Sequence, residues 1–197
     1  MNEDNGYNQL ISHVQRHITL TSAEIDYFTS LLRTRKILRR QFLLQAGDVC
    51  KYESYVVKGC LRAFYIDRSG QEHTLHFAVE DWWISDFASF FRGTPATRDI
   101  EALETSEVIQ IDKASLDALY KEVPAFERFF RILHQNACVA QDERILSNIS
   151  MTGAERYEAL LKKYPQFAQR VPQKHIASFL GITPVFLSQI RNKLSQQ

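Results

Sequence analysis

The stretch Val171-Pro172-Gln173-Lys174-His175-Ile176-Ala177-Ser178-Phe179-Leu180-Gly181-Ile182-Thr183-Pro184-Val185-Phe186-Leu187-Ser188-Gln189-Ile190-Arg191 reads as two short helices joined by a tight turn. Apolar residues fall at 176, 179 and 180, then at 186, 187 and 190, each set at helical spacing. Gly181 can take the positive φ that a sharp helix end needs. Thr183 suits an N-cap, and Pro184 suits the first helical position, where its missing N–H costs nothing. Ala177 is small where the second helix must cross the first. The pattern is that of a helix-turn-helix, whose second helix enters a DNA major groove.

Charge supports that expectation. The 197 residues carry a net +1, but residues 154–197 hold seven cations (Arg156, Lys162, Lys163, Arg170, Lys174, Arg191, Lys193) against Glu155 and Glu158. That tail is therefore +5 and residues 1–153 are −4. A basic C-terminal unit on an acidic body fits a phosphate-backbone partner. Hydrophobic residues at 45% and charged residues at 24% are ordinary for a globular chain of one large domain, or of a medium and a small one. No apolar run reaches the roughly 18 residues of a membrane span. Met1–Leu10 is polar and acidic, without a signal-peptide core, so a cytoplasmic protein with no membrane partner is expected. Cys50, Cys60 and Cys138 are odd in number and form no CxxC pair, so buried free thiols are expected rather than a disulfide framework or a metal cluster.

Upstream the chain alternates between two periods. Residues 7–36 read as helical, with a second short helix opened by Ser22 and Asp26. From Ile37 the residues become β-prone, with turns at Gly47-Asp48 and Lys58-Gly59. Leu61–Ile66 is a strand, Asp67–Gly70 a hairpin turn, and Glu72–Phe77 the returning strand. Ala102 and Val108–Ile111 add further strands, and short strands with regular turn signals predict a β-roll or jelly roll. Asp112 or Ser115 caps a short helix through Tyr120. Pro124 then opens a long helix to about Ser150 whose apolar residues cover more than one face, a pattern that predicts packing on the roll and on a twin helix. Met151-Thr152-Gly153 reads as a hinge, and Ala154–Tyr164 as one more amphipathic helix.

A β-roll, a long helix and a C-terminal helix-turn-helix resemble the Crp–Fnr family of bacterial transcription regulators over nearly the whole chain. The residues that carry the resemblance are Ile176-Ala177…Leu180-Gly181…Leu187…Ile190 in the DNA-binding motif and Val57-Lys58-Gly59-Cys60-Leu61-Arg62 with Asp67–Glu72 in the hairpin. Ile84-Ser85-Asp86-Phe87…Phe90, Gly93, Glu101–Glu104 and Val108–Ile111 resemble the family's ligand loop and final strands. Arg156-Tyr157 and Val171–Ala177 are similar to a subgroup common in Bacteroidetes-type bacteria. The resemblance implies an α+β fold: a cyclic-nucleotide-binding-like sensor domain over 1–123, a long dimerisation helix over 124–150, and a (winged) helix-turn-helix domain over 151–197. It also implies a dimeric, sequence-specific DNA-binding regulator.

The ligand loop departs from the cyclic-AMP pattern. Cyclic-AMP-binding members grip the phosphate and ribose with a Gly-Glu and an Arg-Ser pair, setting N–H groups and a guanidinium against the anion. Ser85-Asp86 stand in the first pair's place, and counting from Gly93 puts Ala96-Thr97 in the second. Arg98 falls two residues late, on the opposite strand face. The candidate pocket is Ser85, Asp86, Phe87, Ala96, Thr97 and Arg98, with no certain cofactor, cyclic AMP disfavoured, and an effector of unknown identity. Iron–sulfur sensing also fits poorly, because no cysteine precedes Cys50.

Family members read bases with the first turns of the second helix of the motif. Those slots hold Thr183, Pro184, Val185, Ser188 and Gln189. Gln189 can pair with adenine and Val185 can touch a thymine methyl, while Lys174, Arg191, Asn192 and Lys193 suit phosphates. Phe179, Leu180, Ile182, Leu187 and Ile190 are expected in the core. A two-fold dimer implies a pseudo-palindromic double-stranded site, with RNA polymerase as a further partner. Two other readings compete. One is a sensor whose tail docks a protein rather than DNA. The other is an enzyme on a cupin-like barrel, which six scattered histidines without metal-ligand spacing disfavour.

Overall fold

The computed structural model describes residues 3–194; Met1 and Asn2 of the acidic N-terminal stretch, and residues 195–197 of the tail, lie outside it. The chain forms two compact units. One comprises residues 1–63 and 77–135, the other residues 64–76 and 136–197. The division cuts through both the hairpin and the long helix, so the outer half of the hairpin belongs with the C-terminal unit.

The first unit is built on strands β1 (Arg33–Ile37), β2 (Phe42–Leu44), β3 (Tyr52–Lys58), β4 (Leu61–Ile66), β5 (Glu72–Ala78), β6 (Trp83–Ile84), β7 (Asp99–Ala102) and β8 (Ser106–Asp112). Four of them pair in the order β1-β8-β3-β6 and four in the order β2-β7-β4-β5, the two-sheet roll that the short strands predict. The β3–β8 ladder is antiparallel and shifts register between Val56 and Lys58. Gly59 follows at φ 108°, and a Cβ there would lie 2.2 Å from Ser106 Oγ. Glycine is therefore required on two counts, backbone angle and space. Across neighbouring strands of the second sheet, Arg62 of β4 donates from Nε and Nη2 to Glu101 of β7 at 2.9 and 2.7 Å.

Helices α1 (Glu3–Gln15), α2 (Ser22–Ser30), α3 (Phe87–Arg92), α4 (Lys113–Glu122) and the first turns of α5 (Ala125–Ser150) complete this unit. Helicity does not continue from residue 7 to 36. It breaks after Gln15, and Arg33 enters β1, where Arg33–Ile37 pair with Gln110–Ser106. Ladder bonds to a partner far along the chain outweigh the local helical preference of this segment. The second helix is capped by Thr21, not Ser22, in a reciprocal capping box with Glu24. Asp112 caps α4 through Ser115 N at 2.9 Å. Cys50 and Cys60 are buried free thiols, but Cys138 is exposed. Its helix carries it beyond the buried first turns.

The alternation of β3 decides which residues face which layer. Ser54 faces between the sheets, and its Oγ accepts from Gln110 Nε2 at 2.8 Å. Glu53 and Tyr55 face the helices. There Phe126, Phe129 and Phe130 of α5 are all at most 1% exposed. Phe129 and Phe130 pack on Trp83 with centroids 6.3 and 5.4 Å apart, and Phe126 packs on Phe28 of α2 at 4.5 Å. Aromatic pairs at these spacings add stabilisation beyond the area they bury. Buried Glu53 lies 3.4 Å from His134 Nε2. The Tyr55 hydroxyl donates to Asp81 at 2.5 Å, and Asp81 also accepts from Gln9. Burial alone would raise the Asp81 carboxyl, but the hydrogen bonds from Tyr55 and Gln9 together with the nearby Arg16 and His13 hold the group below its ordinary value. Burial also pushes the Tyr55 phenol well up.

His13 of α1 sits in the same layer, 5.5 Å from the Tyr55 ring and 5.9 Å from the Phe129 ring. Among the described residues, no group hydrogen-bonds either ring nitrogen. Burial lowers its pKa from 6.5, against a smaller opposing pull from Asp81. Above 6.5 the ring is neutral in both folded and unfolded chains. Below it, only the unfolded chain readily takes the proton, so stability falls as pH drops from 6.5 toward the depressed folded value. Urea midpoints at pH 7.5 and 5.5 should differ less in His13→Phe than in the parent; an equal difference would remove His13 from the cause.

Candidate nucleic-acid interface and sensor cavity

The C-terminal unit holds the later turns of α5, then α6 (Gly153–Lys163), α7 (Phe167–Arg170), α8 (Gln173–Leu180) and α9 (Pro184–Leu194). Thr152 is not a free hinge. It caps α6 in a capping box with Glu155, whose carboxylate accepts from Thr152 N at 2.7 Å. The single turn α7, which periodicity does not reveal, buries Phe167. Residues 151–194 contain no strand.

Pro172 precedes α8 without a side-chain cap, and α8 runs for eight residues. Gly181 takes φ 67°, and Ile182 N donates back to Ala177 O at 3.0 Å, closing the helix in the left-handed manner expected of glycine. Thr183 Oγ1 accepts from Phe186 N at 3.1 Å and so caps α9. Ile176, Ala177, Leu180, Leu187 and Ile190 are buried. Phe179 and Ile182 are only half-buried, a correction to their expected core placement. The Phe179 ring lies under the Arg144 guanidinium with 4.3 Å between them. Ile182 meets Gly153, where a Cβ would stand 2.9 Å from the Ile182 side chain and 3.0 Å from the Phe186 ring. Gly153 thus lets the start of α6 approach the turn. Arg156 donates to Leu180 O at 3.1 Å and to Met151 O at 2.7 Å, satisfying carbonyls at the end of α8 and just after α5.

With that scaffold buried, α9 turns its first residues outward. Val185 is 69% exposed, and Thr183, Ser188, Gln189, Asn192 and Lys193 are exposed beside it. Lys174 is exposed on α8, and Arg191 is half-buried. The structure therefore gathers the predicted contact residues on α8, on α9 and in the turn between them. It offers hydrogen-bonding and apolar groups at the start of α9 and cations around them, the combination that base edges and phosphates require.

The ligand loop belongs to the first unit. Asp86 caps α3 and its side chain is 1% exposed. Its carboxylate accepts from Ser89 N at 3.2 Å and Thr97 N at 3.3 Å and lies 3.2 Å from Arg98 Nε. Arg98 is thus not turned away. Residues 95–98 precede β7, which begins at Asp99, so strand alternation does not apply to them. The arrangement does not fit a cyclic phosphate. The N–H groups and guanidinium that would meet an anion already meet an internal carboxylate. An added negative charge about 4 Å from it would cost on the order of 4 kcal/mol at an effective dielectric constant near 20.

Between the sheets lies a cavity of about 560 Å³, within the range of small-molecule sites. Of the six predicted pocket residues only Ser85 lines it. Arg35, Cys50, Tyr52, Ser54 and Gln110 also line it, with Ile84 and Ile100 among its apolar walls. Ser54 and Gln110 could have been found by following period-two alternation inward along β3 and β8. Arg35 enters from the edge strand, where its guanidinium donates to Phe42 O and Leu43 O.

Residues 34–123 match the family model described as a cyclic nucleotide-binding domain. The chain is 24% identical over 200 residues to the fumarate and nitrate reduction regulatory protein of Vibrio cholerae, covering 94% of this chain and 78% of that one. It is 22% identical to the transcriptional activator protein anr of Pseudomonas aeruginosa, covering 91% and 78%. The structure of FixK2 from Bradyrhizobium japonicum superposes with a TM-score of 0.74 at 16% identity, over 84% of this chain and 85% of that one. The chain thus carries a cyclic nucleotide-binding domain and is similar over more than nine-tenths of its length to these regulatory proteins.

Proposed function

We propose that the chain is a homodimeric, sequence-specific DNA-binding transcription regulator and not an enzyme. In this reading residues 1–123 form the sensor, 124–150 the dimerisation helix and 151–197 the DNA-binding domain. The observation that carries it is the outward first turn of α9 on a buried scaffold, with cations beside it. Thr183, Val185, Ser188 and Gln189 read base edges, and Lys174, Arg191, Asn192 and Lys193 hold the backbone. The relatives bear the same stamp: their names are those of a regulatory protein and a transcriptional activator. RNA polymerase is the machinery such a regulator would act on.

Pairing is supported by α5. Val139, Ile145, Leu146 and Ile149 are 55–79% exposed, and 139, 146 and 149 recur at the spacing of a coiled-coil seam. Two copies joined there present two α9 helices to half-sites about 34 Å apart, hence a pseudo-palindromic target. The roll cavity would take a small effector other than cyclic AMP.

A gel-shift assay across a salt series tests the DNA reading. Affinity should fall steeply with salt, and Lys174→Ala should weaken binding to all sequences while reducing the log–log slope by about 1. An unchanged slope would take Lys174 off the backbone. Ile149→Arg should sediment as a folded monomer and lose most of its affinity; a dimer at micromolar concentration would place the seam elsewhere. Cyclic AMP at millimolar concentration should leave the melting temperature unmoved. Binding at 100 times Kd would instead stabilise by about 2.7 kcal/mol, shifting the melting temperature by several degrees.

A further inference from the structure

The β5 strand is the outer member of its sheet, and an edge strand leaves main-chain N–H and C=O groups unpaired on one side. In the C-terminal unit two side chains from elsewhere supply those partners. Ser178 of α8 accepts from Thr74 N at 2.8 Å and donates to Glu72 O at 3.0 Å. Arg144 of α5 donates to Leu75 O and, at 3.2 Å, to Thr74 O. The same guanidinium donates to Phe179 O at 3.0 Å and stacks on the Phe179 ring. One planar, multi-donor group therefore holds a strand edge and the last turn of α8 together, a task that a lysine ammonium cannot reproduce.

We propose that Arg144 and Ser178 form a latch that fixes α8, and with it α9, against the edge of β5, so that Arg144 is a positioning residue for DNA binding although it touches no DNA. The inference rests on the DNA-binding reading above. Glu72–Leu75 lie in the hairpin that grows out of the sensor roll, so any change in the roll that moves the hairpin acts on the reading helix through these bonds. Held closed, the latch pre-orders the reading head and spares DNA the cost of ordering it.

The test uses the full chain with Arg144→Lys, Ser178→Ala and the double variant. Each single variant should lower DNA affinity on the order of tenfold, with the salt slope unchanged because no phosphate contact is lost. The double variant should be little worse than either, as expected of groups acting as one unit. Amide exchange at Thr74 and over Phe179–Ile182 should quicken together, while the melting temperature moves by only a few degrees. Unchanged affinity, additive losses, or faster exchange on one side alone would overturn the latch. Should Arg144→Lys fail to fold, Ser178→Ala read by the same affinity and exchange measurements decides the matter. A parent protein that binds no DNA at all would refute the DNA reading, and paired exchange would still judge the latch.

Discussion

Three phenylalanines near the start of α5 anchor the first unit. Phe126, Phe129 and Phe130 lie at most 1% exposed, where α2, the β3–β6 pair and α1 all present aromatic or apolar groups. Burying three such rings contributes several kcal/mol, enough to fix where the long helix begins and which face it turns to the roll. Its later residues are thereby committed to the C-terminal unit, with Val139, Leu146 and Ile149 left uncovered. The helix is thus a single element with two environments, packed tightly at one end and with apolar side chains exposed at the other.

Charge is used differently in the two units. In the ligand loop, the Asp86 carboxylate accepts from the neighbouring N–H groups and lies 3.2 Å from Arg98 Nε, so the loop is closed on an internal anion. In the C-terminal unit, Arg144 and Arg156 are spent on main-chain carbonyls at the end of α8. Helix ends buried without such donors would leave carbonyl groups unsatisfied. Those arginines are consequently part of the scaffold. Of the seven cations of residues 154–197, Arg156 is therefore engaged within the fold.

Much of this was legible in the residues, for identifiable reasons. Local chemistry set the Gly181 turn, the Thr183 cap, the strand from Leu61 to Ile66 and the Pro124 start of α5, and the structure repeats each of them. Failures came where a distant partner overrode local preference. Residues 33–36 joined β8 instead of extending a helix. Thr152 is a different case, because its capping partner Glu155 stands only three residues on and the signature is itself local. Arg98 met Asp86 because the segment before β7 is not a strand.

By itself, the sequence determined the order of elements, the presence of a helix-turn-helix and the slots that face outward on α9, because caps, turns and periodicity act over a few residues. Only the tertiary structure decided that Asp86 is already paired, that Ser54 and Gln110 line a cavity, and that Arg144 joins the β5 edge to α8. Each of these depends on groups 12 to 70 residues apart whose meeting is set by how strands and helices pack, a relation that no short-range pattern encodes.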